Sequence, residues 1–568
     1  MKQKLKVLLL LFVMSALLSA CTINLDRSTA TEEELYEDKY DIVDRGPVKG
    51  GAIRLFSTPI DTLNPILTSN VYVQDFLGFV FEGLYATNTE QQLVPVLANS
   101  STLSADGLTL TIYLKDNVKW HDKMPFKSED VVFTINTLLD KNITSVYKKN
   151  VQYIESAASS GNNVIIKLKQ PYSLIKYELT FPILPAHHFL NEKLADKKSK
   201  ANLSPVGTGP YALNSYNEEN GVKLRLNEEW WNAEGDKVEV SNPSESKTGE
   251  VQAEINKVDL KMPYLSTIEI KIFNNTSSAN AAFQARDIDV LPAQYSEYRK
   301  YIGRTDINLK RFPGKNFEFL SINTKKGVLT DKRLRNALNY LIDKKQLVDT
   351  AASGIATPAE IPVNPNSWIY QLVNFEQNDS LNKAKELLTQ SGFVLDSKKK
   401  YVKKGSKKEL TLKMIVNEGN SLRFKTASEI SSQLEKNGII VDLVKLPWES
   451  YINTLKTGAY DLALSGYRIS SVPDLTFAYS SAEIQSGLNV AGYSNPTADQ
   501  YLQQIIMESN TETQKSLYKS LLNVVVEDRP YIGLYFLNES MMYSKNIRGA
   551  VNPHIWNKFN DITKWYLP

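Results

Sequence analysis

The stretch that decides the fold runs from residue 411 to residue 466 and reads TLKMIVNEGNSLRFKTASEISSQLEKNGIIVDLVKLPWESYINTLKTGAYDLALSG. Within it, TLKMIV, IIVDLVKL and YDLALSG are short apolar runs typical of strands, whereas residues 421–437 and WESYINTLKTG have the spacing of helices. The longer helix places four apolar side chains on one face: Phe424, Ala427, Ile430 and Leu434. This β-α-β-α-β order predicts a parallel sheet with crossover helices.

The loops that follow these three strands are where a ligand is expected. In an open parallel sheet, ligands collect beyond the carboxyl ends of the strands, which meet at one edge. The stretches Asn417–Asn420, Pro447–Trp448 and Gly466–Ser470 are therefore expected to face one cleft.

The N-terminus has the composition of a bacterial signal peptide. Lys2, Lys4 and Lys6 precede the apolar run VLLLLFVMSALL at 7–18. As a helix this run is about 18 Å long, too short for a hydrocarbon core of about 30 Å. The LSAC sequence that ends at Cys21 resembles the bacterial lipobox, and Cys21 is the only cysteine in the chain. The sequence predicts cleavage before Cys21 and an extracytoplasmic protein that is lipid-anchored to the cell membrane through it.

The charge balance excludes two classes of interaction. The chain has 66 basic and 63 acidic residues, and the three lysines of the signal peptide account for the excess. Nucleic-acid binding needs clustered positive charge, so no nucleic-acid partner is expected. A basic membrane patch is also missing, which leaves lipid as the expected anchor. Residues 21–49 are acid-rich with few apolar positions, and we expect them to form a disordered tether.

Catalytic and metal-binding signatures are missing from the sequence. It contains no G-x-S-x-G, H-E-x-x-H or G-x-x-x-x-G-K-[ST] pattern. The four histidines, His121, His187, His188 and His554, do not form a helical ligand pair. We expect neither an enzyme nor a bound metal or cofactor, and ATP hydrolysis would belong to separate subunits.

A series of short motifs identifies the chain's resemblance to a known family. The most diagnostic is LKDNVKWHDKMPFKSEDVVFTI at 114–135, with Asn117 and Lys123 where the family usually has glycine. The other motifs, in order, are LNP (63–65), GLY (83–85), PVLA (95–98), PVGTGPY (205–211), WW (230–231), ARDIDVL (285–291), DKRLRNALNYLIDKKQLVD (331–349), KAKELLTQSGF (383–393), GYSNPTADQYL (492–502) and EDRPYIGLY (527–535). Together they resemble the family 5 extracellular solute-binding proteins of ABC importers, which include oligopeptide-, dipeptide- and nickel-binding proteins.

The resemblance implies an α/β, two-lobed periplasmic-binding-protein-like fold with a hinge. Lobe I would comprise 50–312 completed by 538–568, with an extra subdomain inserted at about 85–204. Lobe II would comprise 313–537. A ligand that contacts both lobes only when they are closed would stabilise the closed form for the permease.

The resemblance also implies ligand-contacting residues. Segments that match those of the oligopeptide binders supply Ser69, Asn70 and Val71 after the LNP motif, and Gly466, Tyr467 and Arg468 after the third predicted strand. Trp448 matches an aromatic position of the same cleft. Each aromatic side chain could instead be ordinary packing, and Arg468 could be a solvated cation on the rim or a partner for a ligand carboxylate.

One departure from the family pattern concerns the ligand's amine. Peptide binders of this family usually place an aspartate a few residues after the Gly-aromatic pair, where it holds the α-ammonium of the peptide. Here Ser470 or Ser471 stands at that place, and the first acid is Asp474. Asp474 could serve if the loop is displaced, or could belong to a plain turn. Glu418 is another possible amine partner.

We therefore expect a monomeric protein that captures peptides and delivers them to an ABC permease served by ATPase subunits. The departure at Ser470 or Ser471 leaves open a family member for another solute, such as a metal chelate, haem or a glycan-derived peptide. A surface receptor for signalling peptides is a third hypothesis, which neighbouring permease and ATPase genes would distinguish from a transporter.

Overall fold

The protein is described from a computed structural model, which covers residues 46–190, 194–233, 235–245, 251–293, 301, 303–375 and 380–568. The predicted signal peptide, Cys21 and most of the predicted tether lie outside the described residues. Within the described ranges, no helix is both long and apolar enough to cross a membrane.

The chain alternates between strands and helices along its whole described length. The strands are β1 Ala52–Ser57, β2 Tyr85–Thr87, β3 Leu93–Pro95, β4 Ala98–Leu103, β5 Thr109–Leu114, β6 Ile154–Ser160, β7 Asn163–Leu168, β8 Tyr211–Asn217, β9 Gly221–Leu226, β10 Gly235–Glu245, β11 Val251–Lys261, β12 Thr267–Ile272, β13 Val290–Ala293, β14 Ile307–Ile322, β15 Ala356–Pro358, β16 Phe393–Leu395, β17 Tyr401–Lys403, β18 Thr411–Asn417, β19 Ile440–Leu446, β20 Leu462–Arg468 and β21 Tyr531–Ser544. The helices are α1 Val71–Leu77, α2 Ser128–Leu139, α3 Ile175–Glu178, α4 Lys200–Leu203, α5 Thr276–Gln284, α6 Lys332–Leu341, α7 Lys344–Thr350, α8 Ser380–Gln390, α9 Ser421–Lys436, α10 Trp448–Thr457, α11 Thr476–Tyr479, α12 Glu483–Ser486, α13 Pro496–Met507 and α14 Thr511–Asp528.

A seven-stranded mixed sheet contains the predicted β-α-β-α-β unit. Its strand order is β13-β21-β14-β20-β18-β19, and β15 also pairs with β21. The central strand β18 pairs in parallel with both β19 and β20, with α9 and α10 in the connections. The predicted parallel unit is therefore confirmed. The long strands β14 and β21 pair antiparallel and carry this unit on one side and β13 on the other.

The predicted buried face of α9 is correct except at its first residue. Ala427, Ile430 and Leu434 are fully buried, whereas Phe424 is 37% exposed. Phe424 lies in the first turn of α9, close to the sheet edge where β18 ends, and the Lys445 ammonium lies 4.7 Å from its ring centroid. The ring therefore contacts a charged ammonium group near the surface instead of entering the core.

The remaining strands form smaller sheets that precede the mixed sheet in sequence. One has the order β1-β12-β9-β8 and another the order β4-β5-β7-β6. The largest hydrophobic core draws its buried residues from 53–290 and again from 541–565. Two further cores draw theirs only from 317–536. Apolar packing thus separates an N-terminal part, completed by the C-terminus, from a later part.

The two departures from the family's glycine pattern have a visible backbone consequence. Asn117 and Lys123 have φ of 62° and 73°, in the left-handed region that favours glycine. Asparagine tolerates this region, but lysine costs about 1–2 kcal/mol there. The turns on either side of Trp120 therefore have a backbone that favours glycine, occupied here by asparagine and lysine.

The stretch 233–260 is polar with no sustained apolar period, which predicts an exposed insertion. The structure gives it a regular form, because β10 and β11 pair antiparallel from Gly235 with Lys261 to Glu245 with Val251. Whether its side chains are exposed lies outside the described residues.

Candidate functional site

The carboxyl ends of three parallel strands meet at one edge of the mixed sheet. Strand β18 ends at Asn417, and the backbone N–H of Glu418 donates to the carbonyl of Leu446 at 2.7 Å, at the end of β19. Trp448 begins α10 two residues later, and β20 ends at Arg468. The structure therefore brings Glu418, Trp448 and the Gly466–Ser470 stretch to the same sheet edge.

A buried ion pair lies directly against Gly466. The Arg423 Nε donates to Glu318 Oε2 at 2.7 Å, and Nη2 donates to Oε1 at 3.0 Å. A Cβ added at Gly466 would lie 2.3 Å from Arg423 Nη2 and 2.8 Å from Glu318 Oε1. Burial raises the pKa of Glu318, and the guanidinium of Arg423 opposes that rise. Packing alone thus requires glycine at this position, which the sequence had predicted as a ligand contact.

The two aromatic residues predicted to contact the ligand differ in how far their rings are exposed. Trp448 is 56% exposed and stacks on Tyr451, with ring centroids 5.9 Å apart. Tyr467 instead donates its hydroxyl to the carbonyl of Leu488 at 2.6 Å, and its ring stacks on Phe319 at 4.5 Å. Burial raises the pKa of Tyr467. Trp448 therefore presents a free surface, whereas Tyr467 is largely occupied by packing.

The loop after β20 contains Ser470 and Asp474, the two residues considered above for contact with a ligand's amine. Arg468 and Ser470 are exposed, and Ser470 donates its hydroxyl to the carbonyl of Val472 at 3.1 Å. Asp474 Oδ1 accepts the backbone N–H of Thr476 at 2.9 Å, just before α11. One oxygen of Asp474 thus has the turn role that a Pro-Asp pair suggested.

The segment after the LNP motif forms the beginning of α1. Asn70 is its N-cap, with Oδ1 accepting the N–H of Tyr72 at 3.1 Å and Nδ2 donating to Thr58 Oγ1 at 2.8 Å. Ser69 and Val71 on either side are exposed. The amide of Asn70 is therefore committed to the fold, and its neighbours have the accessible side chains.

Charged side chains connect α1 with the long strands β14 and β21. Lys558 Nζ lies 3.7 Å from Asp75 Oδ2 on α1 and 3.7 Å from Glu539 Oε2 on β21. On β14, Lys315 Nζ lies 5.3 Å from the ring centroid of Trp556. The backbone carbonyl of Lys315 accepts the N–H of Ile469 at 2.9 Å. Burial raises the pKa of Asp75. Lys558 thus links α1 with β21, and β14 holds the backbone of Ile469 in the loop after β20.

Residues 85–204, called the insert segment below, contact the loops of 313–537. The N–H of Trp368 donates to the carbonyl of Glu90 at 2.9 Å, and Gln91 Nε2 donates to the carbonyl of Ser471 at 2.9 Å. The N–H of Ser173 donates to the carbonyl of Ile506 at 2.7 Å. Sequence reasoning missed these residues, because nothing local to them signals a partner far along the chain.

A buried glutamate lies in the insert segment near Asp474. Glu178 is 8% exposed, and no described residue hydrogen-bonds its carboxylate, whereas its backbone carbonyl accepts Asn150 Nδ2 at 2.8 Å. Burial, and then the charge of Asp474, raise the pKa of Glu178 to about 7. The rings of Tyr153 and Tyr172 stack with centroids 4.1 Å apart, and burial, then the charges of Asp474 and Glu178, raise the pKa of both hydroxyls. We call Glu178, Asp474, Tyr153 and Tyr172 the carboxylate cluster.

An open cavity of about 560 Å³ lies elsewhere in the molecule. Its lining consists of Asn88, Thr89, Lys310, Arg311, Val551, Asn552, Pro553, Asn560 and Asp561. None of the predicted ligand residues belongs to that lining. At the sheet edge, the predicted residues Trp448, Arg468 and Ser470 are exposed.

The ring of His121 is held by two backbone groups. His121 Nδ1 accepts the N–H of Gly207 at 3.2 Å, and Nε2 donates to the carbonyl of Gly209 at 2.9 Å. Burial lowers the pKa of His121 to about 4, so the ring is neutral. Among the described residues, no group of three histidine, cysteine or acidic side chains could hold a metal ion.

Comparison with known proteins gives this geometry a family. The model of the bacterial extracellular solute-binding proteins, family 5 (middle), matches residues 92–486. The oligopeptide-binding protein AppA of Bacillus subtilis (strain 168) is 25% identical over 585 residues, covering 100% of this chain and 99% of that protein.

Solved structures show the same fold. The unliganded open form of MppA, a periplasmic murein tripeptide binding protein, has a TM-score of 0.72 at 20% identity, covering 92% of this chain and 98% of that one. NikZ from Campylobacter jejuni in complex with Ni(L-His) has a TM-score of 0.56 at 26% identity, covering 91% and 99%. These neighbours confirm the predicted α/β, two-lobed periplasmic-binding-protein-like fold. Because the family model matches more than half of the chain, the protein belongs to the family 5 bacterial extracellular solute-binding proteins.

Proposed function

We propose that the protein captures peptides outside the cell and delivers them to an ABC permease. The observation that carries the proposal is the alignment with the oligopeptide-binding protein of Bacillus subtilis, which covers essentially the whole of both chains. The protein would act as a monomer that binds without catalysis, while separate ATPase subunits supply the energy of transport.

Capture would take place between two lobes. Lobe I would consist of 50–312 with 538–568 and would include the insert segment, and lobe II would consist of 313–537. The separation of the hydrophobic cores supports this division. The hydrogen bonds that Trp368 donates to Glu90 and Gln91 donates to Ser471 are contacts that the closed form would have. A ligand bridging the lobes would favour the state that has them.

The sheet edge would supply the ligand contacts of lobe II. Trp448 offers an exposed ring, and Arg468 and Glu418 are exposed charges of opposite sign. Gly466, Tyr467 and Ser470 would contribute mainly backbone groups, because their side chains are absent or bonded elsewhere. Ser69, Asn70 and Val71 would face them from lobe I. Backbone hydrogen bonds give affinity without sequence preference, which suits a binder of varied peptides.

Native mass spectrometry tests the proposal directly. The mature protein, produced from Cys21→Ser to avoid acylation, is incubated with a mixture of short peptides and desalted. Peptide adducts of defined mass are expected. Recovery of a non-peptide solute from the expression host, with no peptide adduct at any excess, would overturn peptide capture.

Trp448→Ala tests the sheet edge. Removing an exposed aromatic contact is expected to weaken binding of a recovered peptide about tenfold, as measured by calorimetry. Leu395→Ala is the matched control, because Leu395 is 48% exposed on the separate hairpin β16–β17. Equal peptide affinity of wild type and Trp448→Ala would remove Trp448 from the site.

A non-peptide solute is the second candidate, and one observation favours it. Ser470 stands where the resemblance implies an aspartate, and its hydroxyl is bonded to Val472. The nickel complex of NikZ makes a metal chelate the first solute to try. Thermal denaturation with nickel and histidine, with haem, and with the peptide mixture separates the candidates, because only a bound solute raises the midpoint.

Anchoring through Cys21 is the third part of the proposal. It is supported by the lipobox sequence and by the mature chain's balance of basic and acidic residues. Wild type expressed in a bacterium is expected in the membrane fraction, and Cys21→Ser in the soluble extracytoplasmic fraction. An unchanged distribution of the variant would contradict lipid anchoring.

A further inference from the structure

A short hairpin in the later part of the chain carries a dense group of lysines. Its strands are β16 and β17, and a second turn leads from β17 to Leu410, just before β18. Residues 396–409 read DSKKKYVKKGSKKE, with seven lysines and two acids, a formal net charge of +5. We call residues 396–409 the lysine segment. Its lysines are Lys398, Lys399, Lys400, Lys403, Lys404, Lys407 and Lys408.

Two tight turns hold the backbone of the lysine segment. In the first, Asp396 Oδ1 accepts the N–H of Lys400 at 2.8 Å. In the second, the N–H of Lys403 donates to the carbonyl of Lys408 at 3.0 Å around Gly405, whose φ of 77° suits glycine. Because β17 between them has only three residues, the two turns lie about 10 Å apart. All seven lysines therefore belong to one small region of the surface.

The ammonium groups of the lysine segment are not neutralised by the protein. Its lysines are exposed except for Lys400, which is half-buried. None of the seven ammonium groups bonds a carboxylate or a carbonyl of the described residues. In the same part of the chain, Lys332 pairs with Glu527 and Lys344 pairs with Glu360. The lysine segment thus presents uncompensated positive charge, and its members repel one another.

The balanced composition of the whole chain conceals this patch. Beyond residue 20 the chain has equal numbers of basic and acidic residues, so everything outside the lysine segment has a formal net charge of −5. The prediction that the chain lacks a basic patch for membranes therefore does not hold at this hairpin. A molecule with one positive region and a negative remainder is oriented by an anionic surface as well as attracted to it.

We propose that the lysine segment is a contact for anionic lipid headgroups, which orients the folded protein on the membrane surface. Clusters of roughly four to eight basic residues are attracted by anionic lipids. The two turns are separated by about one Debye length at physiological salt. A small anion reaches one turn at a time, whereas a lipid surface presents charges to both turns together. The inference concerns the membrane and holds whichever solute the protein captures.

The location of the protein favours a membrane over other partners with negative charge. The family is extracellular, which keeps the lysine segment away from the nucleic acids of the cell. With Cys21 acylated, residues 21–49 would join the folded part to the bilayer. As the flexible tether that their composition predicts, they would span about 30 Å on average. Headgroups would therefore be present at high effective concentration beside the lysine segment.

Vesicle flotation with the mature Cys21→Ser protein tests the contact, because this variant has no acyl chain to insert. Vesicles of phosphatidylcholine with about one third phosphatidylglycerol are compared with vesicles of phosphatidylcholine alone. Affinity is expected to be about tenfold or more higher for the anionic vesicles at low salt. The preference is expected to disappear at about 1 M salt, where the Debye length is about 3 Å.

Matched variants assign that preference to the lysine segment. Changing four of its lysines to glutamine is expected to lower the affinity for anionic vesicles about tenfold or more. The control removes the same charge from exposed lysines elsewhere and is expected to bind as the parent does. The test variant combines Lys403→Gln, Lys404→Gln, Lys407→Gln and Lys408→Gln. The control combines Lys141→Gln, Lys149→Gln, Lys167→Gln and Lys519→Gln.

A fluorescent label measures the orientation on the vesicle. Cys21 is the only cysteine, so Ser397→Cys in the Cys21→Ser protein supplies a single thiol in the lysine segment, and Ser159→Cys supplies one on β6. Both serines are exposed. Energy transfer to labelled headgroups is expected to be stronger from position 397 than from position 159. Equal transfer from both would overturn the orientation.

The remaining outcomes decide the contact itself. Equal affinity for anionic and neutral vesicles overturns it, and so does a test variant that binds anionic vesicles as tightly as the control variant. Binding to heparin without binding to anionic vesicles would assign the lysine segment to another polyanion and would also overturn it. Thermal denaturation of each variant distinguishes lost affinity from lost folding. Peptide adducts in native mass spectrometry are expected to be the same for both quadruple variants, so peptide capture is tested separately.

Discussion

Two buried glutamates in this molecule have opposite surroundings. Glu318 on β14 is 6% exposed and is held by two hydrogen bonds from Arg423 on α9. Glu178 on α3 is 8% exposed and has no hydrogen-bond donor among the described residues. Glu318 is thus paired within the protein, whereas no described residue hydrogen-bonds the carboxylate of Glu178. The difference separates a carboxylate held by an ion pair from one whose raised pKa reflects burial.

The largest effect on stability is expected when Glu318 loses its partner and, like Glu178, has no hydrogen-bond donor. Arg423→Met would leave Glu318 buried without a partner, which costs about 3–5 kcal/mol of unfolding free energy. Chemical denaturation of wild type and of Arg423→Met would measure the loss of unfolding free energy. The same change would remove the guanidinium that lies against Gly466 and would leave Glu178 and Asp474 unchanged.

A double variant is the control for this loss. Arg423→Met with Glu318→Leu removes both charges and is expected to recover much of the lost stability, because no buried charge is then left unpaired. Arg468→Met removes an exposed cation from the same sheet edge and is expected to change stability by less than about 0.5 kcal/mol. A single Arg423→Met variant as stable as wild type would contradict the structural role of the pair.

The second effect is the pH dependence caused by the unpaired carboxylate. The pKa of Glu178 in the folded protein is about 7, above its ordinary value of 4.5, so folding favours the protonated form. The cost of ionisation begins as pH rises above about 4.5, and it is fully present above about 7. Glu178→Gln is therefore expected to stabilise the unliganded protein by up to about 3 kcal/mol at pH 8 and by little at pH 4.

The comparison must be made between the two proteins at each pH. Burial also raises the pKa of Glu82 to about 7, and Glu82 is present in both, so its contribution cancels. Denaturation midpoints of wild type and Glu178→Gln would be measured from pH 4 to pH 8. A constant difference between them would show that the ionisation of Glu178 is not coupled to folding.

The contrast also shows how far the sequence could be interpreted. Strand order and loop spacing correctly predicted that Glu418, Trp448 and Arg468 would share one sheet edge, because parallel pairing follows from the β-α-β-α-β order. The reason for Gly466 was not visible, since it depends on Arg423 and Glu318 approaching from other elements. Phe424 was misplaced because periodicity does not show where a helix passes the edge of its sheet.

Glu178 could not have been found from sequence at all. It belongs to a four-residue helix without a motif, and its surroundings depend on a loop almost three hundred residues later. The same loop carried the signal that was visible, a missing aspartate near Ser470. That gap predicts a departure from the family's way of holding an amine, whereas the surroundings of Glu178 depend on long-range packing that no local pattern indicates.

The smallest expected effect separates the two causes of the raised pKa of Glu178. Burial is the larger cause of its raised pKa and Asp474 is the smaller. Asp474→Asn keeps the acceptor for Thr476 and removes one charge. The pH profile of stability should therefore shift to lower pH by less than about one unit, worth less than about 1.4 kcal/mol at pH 8. An unchanged profile would mean that the two carboxylates do not interact. Burial alone would then account for the raised pKa of Glu178.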